Sequence, residues 1–131
     1  MADTVDSKVI HSGRRYCVHL TNVSDGTGEV AVVKIDISGL TDPRGAVCTK
    51  FSIDRIEYNI QGFTSVRLFW DHTTDDELAV LPAGAGMMDW SVGGGKADPA
   101  SAGGSGDILL TTAGAAANAT YDITIWGRPK A

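Results

Sequence analysis

No basic stretch in this chain is longer than Arg14-Arg15, and eleven lysines and arginines face sixteen aspartates and glutamates, for a formal net charge of −5. Sequence-independent grip on a phosphate backbone needs a positive surface, so the balance argues against nucleic acid as a partner. Long hydrophobic runs are also missing. None approaches the roughly 20 apolar residues of a spanning helix, which argues against a membrane partner. Met1 to Ser7 is polar and carries Asp3 and Asp6, unlike a secretory leader. Cytosolic production with reduced thiols at Cys17 and Cys48 is therefore expected, a Cys17–Cys48 disulfide being the alternative. Without secretion, the sequons Asn22-Val23-Ser24 and Asn118-Ala119-Thr120 are chance matches.

Chemical motifs are equally sparse. His11, His19 and His72 fall in no paired metal-ligand spacing, and a cupin-type histidine pair is absent. Asp71, His72, Asp75, Asp76 and Glu77 form the densest polar run, but it lacks the alternating ligands and central glycine of a calcium loop. It reads as a solvated acidic loop. No serine has GxSxG context. Gly94-Gly95-Lys96 lacks the earlier glycine, with Trp90 in its place, and the hydroxyl residue after the lysine of a phosphate loop. Sixteen acids always offer carboxylate pairs, yet nothing in the sequence sets two across a cleft. The expectation is a non-enzymatic protein with no catalytic residues, no metal and no cofactor.

What the chain does have is glycine, sixteen of them, set between short apolar runs of period two. Phe51 to Trp70 is the longest such run. Phe51 and Ile53 share a face, and Ile56, Tyr58 and Ile60 continue after a one-residue slip at Asp54-Arg55, the mark of a β-bulge. Gln61 to Ser65 carries Gly62, and Val66, Leu68 and Trp70 resume the alternation. The segment is read as a central hairpin turning at 61–65. A second hairpin is expected from Arg15–Val23, with Tyr16, Val18 and Leu20 on one face, and Val30–Ile37, with Val33, Ile35 and Ile37 inward and Lys34 and Asp36 outward. Thr74 and Glu77 have capping-box spacing, so one helical turn precedes Leu78 to Leu81, unless that piece is a short strand. Met87 to Val92, Asp107 to Thr112 and Thr120 to Trp126 are further strands, the last with Tyr121, Ile123 and Ile125 on one face and Trp126 on the other.

The pattern predicts an all-β, single-domain β-sandwich of jelly-roll or related Greek-key type. A flexible N-terminal arm covers 1–7, the domain covers 8–131, and a Gly-rich surface loop covers 93–106. Met87, Met88, Trp90 and Trp126 are candidate subunit or capsid contacts, because methionine and aromatics are enriched at interfaces. Asp3, Thr4 and Val5 join them as an arm that orders on a neighbour.

The closing segment, DILLTT–AGAAANA–TYDITIWGRPK, resembles the final hairpin of tailed-bacteriophage head decoration, or cement, proteins, jelly-roll-like proteins of the virion. The likeness covers about the last quarter of the chain, with no functional residue to carry over. It implies a virion protein made in the host cytoplasm, a homotrimer that binds the major capsid protein on the capsid exterior and stabilises the shell. Two other classes stand beside it. One is a carbohydrate-binding or receptor-binding β-sandwich module of a phage tail, using Trp90 or Trp126 with nearby Asp and Asn. The other is a small metal-dependent enzyme of jelly-roll fold.

Overall fold

The computed structural model describes residues 4–11, 16–40, 45–48, 50–72, 75–93, 95–97 and 107–130. Among the described residues, eight strands follow one another: β1 (Thr4–His11), β2 (Tyr16–Asp25), β3 (Val32–Ile35), β4 (Lys50–Trp70), β5 (Asp76–Asp89), β6 (Lys96–Ala97), β7 (Ile108–Ala113) and β8 (Ala117–Lys130). Two single 3₁₀ turns, Ile37–Gly39 and Ser91–Gly93, are the only helical pieces among the described residues. The all-β class holds. Every pairing is antiparallel, and the strands form one sheet in the order β1-β2-β8-β4-β7-β3. β5 and β6 pair with β4 alone. Since Ile56 is opposite both Met88 and Ile125, β5 and β8 lie on opposite edges of β4.

The sheet curls over its own apolar face. One cluster joins Val18 and Leu20 of β2, Ile35 beside the Ile37 turn, the inward residues of β4, Leu78 and Leu81 of β5, Ile108 and Leu110 of β7, and Tyr121, Ile123 and Ile125 of β8. Alternation at β8 is as expected: Tyr121, Ile123 and Ile125 are buried, while Asp122 is exposed and Thr124 and Trp126 are half-buried. Burial of such residues contributes roughly 1.5–3 kcal/mol each before conformational entropy is set against it.

β4 corrects the expected central hairpin. Residues 50–70 are one continuous strand, and 61–65 is a bend, not a reversal. β4 pairs with β8 from Lys50 to Gln61 and with β7 from Ser65 to Trp70, while β5 follows it along the other edge. The irregularity falls between Ile60 and Ser65, where Gly62 takes φ +86° and a Cβ there would stand 2.8 Å from that of Ala119. A glycine inside a strand marks a bend as readily as a turn, and here β4 passes from β8 to β7, which are not the closing hairpin the sequence suggested but lie end to end along one edge of β4. The reversal lies between Trp70, where β4 ends, and Asp76, where the antiparallel β5 starts, so Leu78 to Leu81 is strand, and Thr74 of the expected capping box lies outside the described residues. The bulge expected at Asp54-Arg55 is present: Ile53 pairs with Gly127 and Arg55 with Trp126, leaving Asp54 as the extra residue.

β2 and β3 do not form a hairpin either. β2 lies between β1 and β8, and β3 pairs with β7. A register shift between Val33 and Ile35 makes Lys34 the extra residue. That shift inverts the expected facing: Val33 is 49% exposed, whereas the side chain of Lys34 is 4% exposed. Ile35 and Ile37 are buried as read from the sequence.

Two expected loose segments are partly strand. Thr4 to Ser7, assigned to the arm, pair with Val23 to Leu20 and so extend the domain to residue 4, because β2 offers a free edge there. Within the Gly-rich run, Lys96 and Ala97 pair with Ile53 and Ser52 of β4. Lys96 Nζ donates to the Leu78 carbonyl at 2.5 Å and stands 5.2 Å from the centroid of the Trp90 ring. Residues 98–106 of that run lie outside the described residues. Cys17 and Cys48 are buried and are not joined in a disulfide.

Candidate functional site

The candidate contact residues separate into two groups. Met87, Met88, Trp90 and Trp126 gather around the β4 bulge. Thr4 and Val5 belong to β1, the terminal strand, opposite Val23 and Asn22. Asp3 lies outside the described residues.

The bulge creates the local geometry. As the extra residue, Asp54 has no register partner on β8, and its carbonyl instead accepts a hydrogen bond from the Trp90 amide at 2.8 Å. The Trp90 carbonyl in turn accepts from the amides of Gly93 (3.0 Å) and Gly95 (2.9 Å). Trp90 is half-buried against the core, with the Lys96 ammonium on its ring. Across the sheet, Trp126 is opposite both Arg55 and Cys17. The Arg55 guanidinium carbon sits 4.1 Å from the centroid of its ring, a cation–π stack.

A cleft of about 260 Å³ opens here, lined by Tyr16, Asp54, Arg55, Asp89, Ser91, Trp126 and Gly127. Its charges are largely matched. Arg128 Nη2 donates to Asp54 Oδ1 at 3.1 Å. Asp89 Oδ1 accepts from the Ser91 amide (2.8 Å) and hydroxyl (2.5 Å), and these bonds hold its carboxyl below the usual range. Burial pushes up the Tyr16 phenol, and it pushes up the Cys17 thiol against the opposing pull of Arg55. Neither group is an activated nucleophile. Such a cleft can grip a polar edge or a sugar-like hydroxyl array, but it shows no poised acid–base pair. Among the described residues, no group of three or more His, Cys, Asp or Glu side chains could hold a metal.

No family model, curated protein or solved structure matches the chain. Its function has to be argued from its own surface.

The second feature of that surface is the outer edge of β5. From Pro82 to Met88 it carries no charged side chain, only Ala83, Gly84, Ala85, Gly86 and the two methionines. Met87 is 56% exposed, while Met88 packs partly on the core. β5 pairs with β4 alone, so its far edge presents unpaired backbone groups among the described residues. Sequence reading found the methionines but not the edge, because placing β5 outermost depends on the long β4 it pairs with. Asp54, Arg55 and Asp89 were also missed as cleft residues, though the phase slip at Asp54-Arg55 marked the spot.

Proposed function

We propose that this chain is a non-enzymatic virion structural protein that self-associates and binds the outside of a capsid shell. The open β5 edge carries the reading. Natural edge strands are usually blunted by charge, proline or cover, and beyond Pro82 this one runs for six uncharged residues, Ala83 to Met88. A strand of a second copy, or of the major capsid protein, can add to it through main-chain hydrogen bonds, with Met87 covered in the joint. Repetition over a shell multiplies a modest contact into a large stabilisation. A homotrimer on the capsid exterior is the arrangement we favour. The net charge of −5 leaves packaged nucleic acid uncontested.

Sedimentation of the purified protein, followed by mixing with empty capsids of its own virus, tests the reading. Self-association with retention on capsids is the expected result. A strict monomer at high micromolar concentration removes the oligomer, and failure to bind capsids removes decoration.

The cleft favours a second reading, glycan binding as part of a tail module. Trp126 with Arg55, Asp54 and Asp89 has the mixed aromatic and polar character of such sites. A glycan array on the intact protein, repeated with Trp126→Ala, separates the two.

A further inference from the structure

We infer that Lys34 and Asn22 join in an intramolecular amide bond, formed by the protein itself with Glu29 as acid–base catalyst. The three side chains come from different places. Asn22 is on β2, Glu29 follows that strand, and Lys34 is the bulged residue of β3, which turns it inward. They meet at the bend of β4 between Gln61 and Ser65, since β2 pairs with β8 on one side of that bend and β3 with β7 on the other.

The geometry puts an amine, an amide and a carboxylate together in a dry place. Lys34 Nζ donates to Glu29 Oε2 at 2.6 Å, and Asn22 Nδ2 donates to Glu29 Oε1 at 2.9 Å. The Lys34 and Glu29 side chains are 4% and 6% exposed, and residues Asn22 and Tyr121 are 1% exposed. Tyr121 also donates its hydroxyl to Oε1, which fixes the carboxylate with Oε2 toward the amine. Main-chain bonds hold Glu29 from behind. Its amide donates to Thr112 Oγ1 and its carbonyl accepts from the Thr112 amide, both at 2.9 Å.

One carboxylate bridging a nucleophile and an electrophile can move protons between them. Glu29 takes a proton from the Lys34 ammonium, freeing the lone pair on Nζ. Nζ attacks Cγ of Asn22, and the C–Nζ bond forms. The C–Nδ2 bond then breaks. Nδ2 departs as ammonium, taking one proton from Nζ and the stored one from Glu29, which returns to the carboxylate. No oxidant or other reactant is needed. Holding both groups on the two oxygens of one carboxylate replaces a bimolecular encounter, and burial keeps out the water that would hydrolyse Asn22 to aspartate.

Mass spectrometry of the purified, folded and aged full-length chain, denatured for measurement, tests this. The expected mass is about 17 Da below that of the sequence, the ammonia lost. Trypsin should fail to cut after Lys34, leaving one peptide spanning 16–44 with the deficit internal to it. Glu29→Gln and Lys34→Arg should each restore the full mass. A wild-type chain of full mass after long incubation overturns the inference, whether or not the variants fold. So does a deficit with normal cleavage after Lys34, which indicates a succinimide at Asn22.

Discussion

Arg55 sits over the ring of Trp126, its guanidinium carbon 4.1 Å from the centroid, at the residue that follows the β4 bulge. The stack joins β4 to β8 on the face away from the core and forms one wall of the cleft.

Arg55→Ala should therefore cost about 0.5–1 kcal/mol, the worth of a half-exposed cation–π pair, and should raise the accessibility of Trp126. Urea unfolding and acrylamide quenching of tryptophan emission read the two effects. Unchanged quenching would mean that the guanidinium does not cover the ring in solution.

Gly62→Ala should be far worse than Gly45→Ala. Both glycines have positive φ, +86° and +84°, but a Cβ at 62 meets Ala119 at 2.8 Å while one at 45 meets nothing within 4 Å. The strain of a left-handed residue, about 1–2 kcal/mol, is common to both, and overpacking adds roughly 1–3 kcal/mol at 62 alone. Chemical denaturation of the two variants should separate them by that overpacking cost.

Acid titration should find Asp89 below an ordinary aspartate, owing first to its hydrogen bonds from Ser91. A depressed folded value stabilises the fold above the unfolded pKa, and that contribution is lost as pH falls through the folded one. Ser91→Ala should move the Asp89 titration upward toward the ordinary value in a carboxyl-detected NMR experiment. No movement would show that the Ser91 contact is not maintained.

Met87→Lys should weaken self-association and leave the fold intact, since Met87 is exposed on the outer strand. A change within about 0.5 kcal/mol in monomer stability is expected, with a clear shift toward monomer in sedimentation. Association that ignores the charge would point away from β5.

The all-β class, the Asp54-Arg55 bulge and the inward faces of β2, β4 and β8 were legible because period-two alternation reports local facing. What alternation cannot report is whether a glycine-containing break reverses the chain. Gly62 serves a bend, and the actual reversal lies between Trp70 and Asp76. Lys34 was misread for a related reason. A lysine in an alternating strand is assigned to solvent unless its buried partner, here Glu29, can be foreseen, and the pairing depends on the β3 bulge and the curl of the whole sheet. The cleft was half visible: its tryptophans stood out, but the arginine and carboxylates around them acquire meaning only once β5 and β8 flank β4.

The position of β8 has a consequence for how the chain is made. It is the last of the eight strands in sequence, yet it sits between β2 and β4 in the sheet. A nascent chain can pair β4 with β5 early, but β1 and β2 have nowhere to dock until residues 117–130 have left the ribosome. Closure of the sheet thus waits for β8, and its many distant pairings place it among slow folders, on the order of milliseconds to seconds. Until then β2 and β4 each expose an open edge, so rapid synthesis at high copy number would expose unfinished chains to one another.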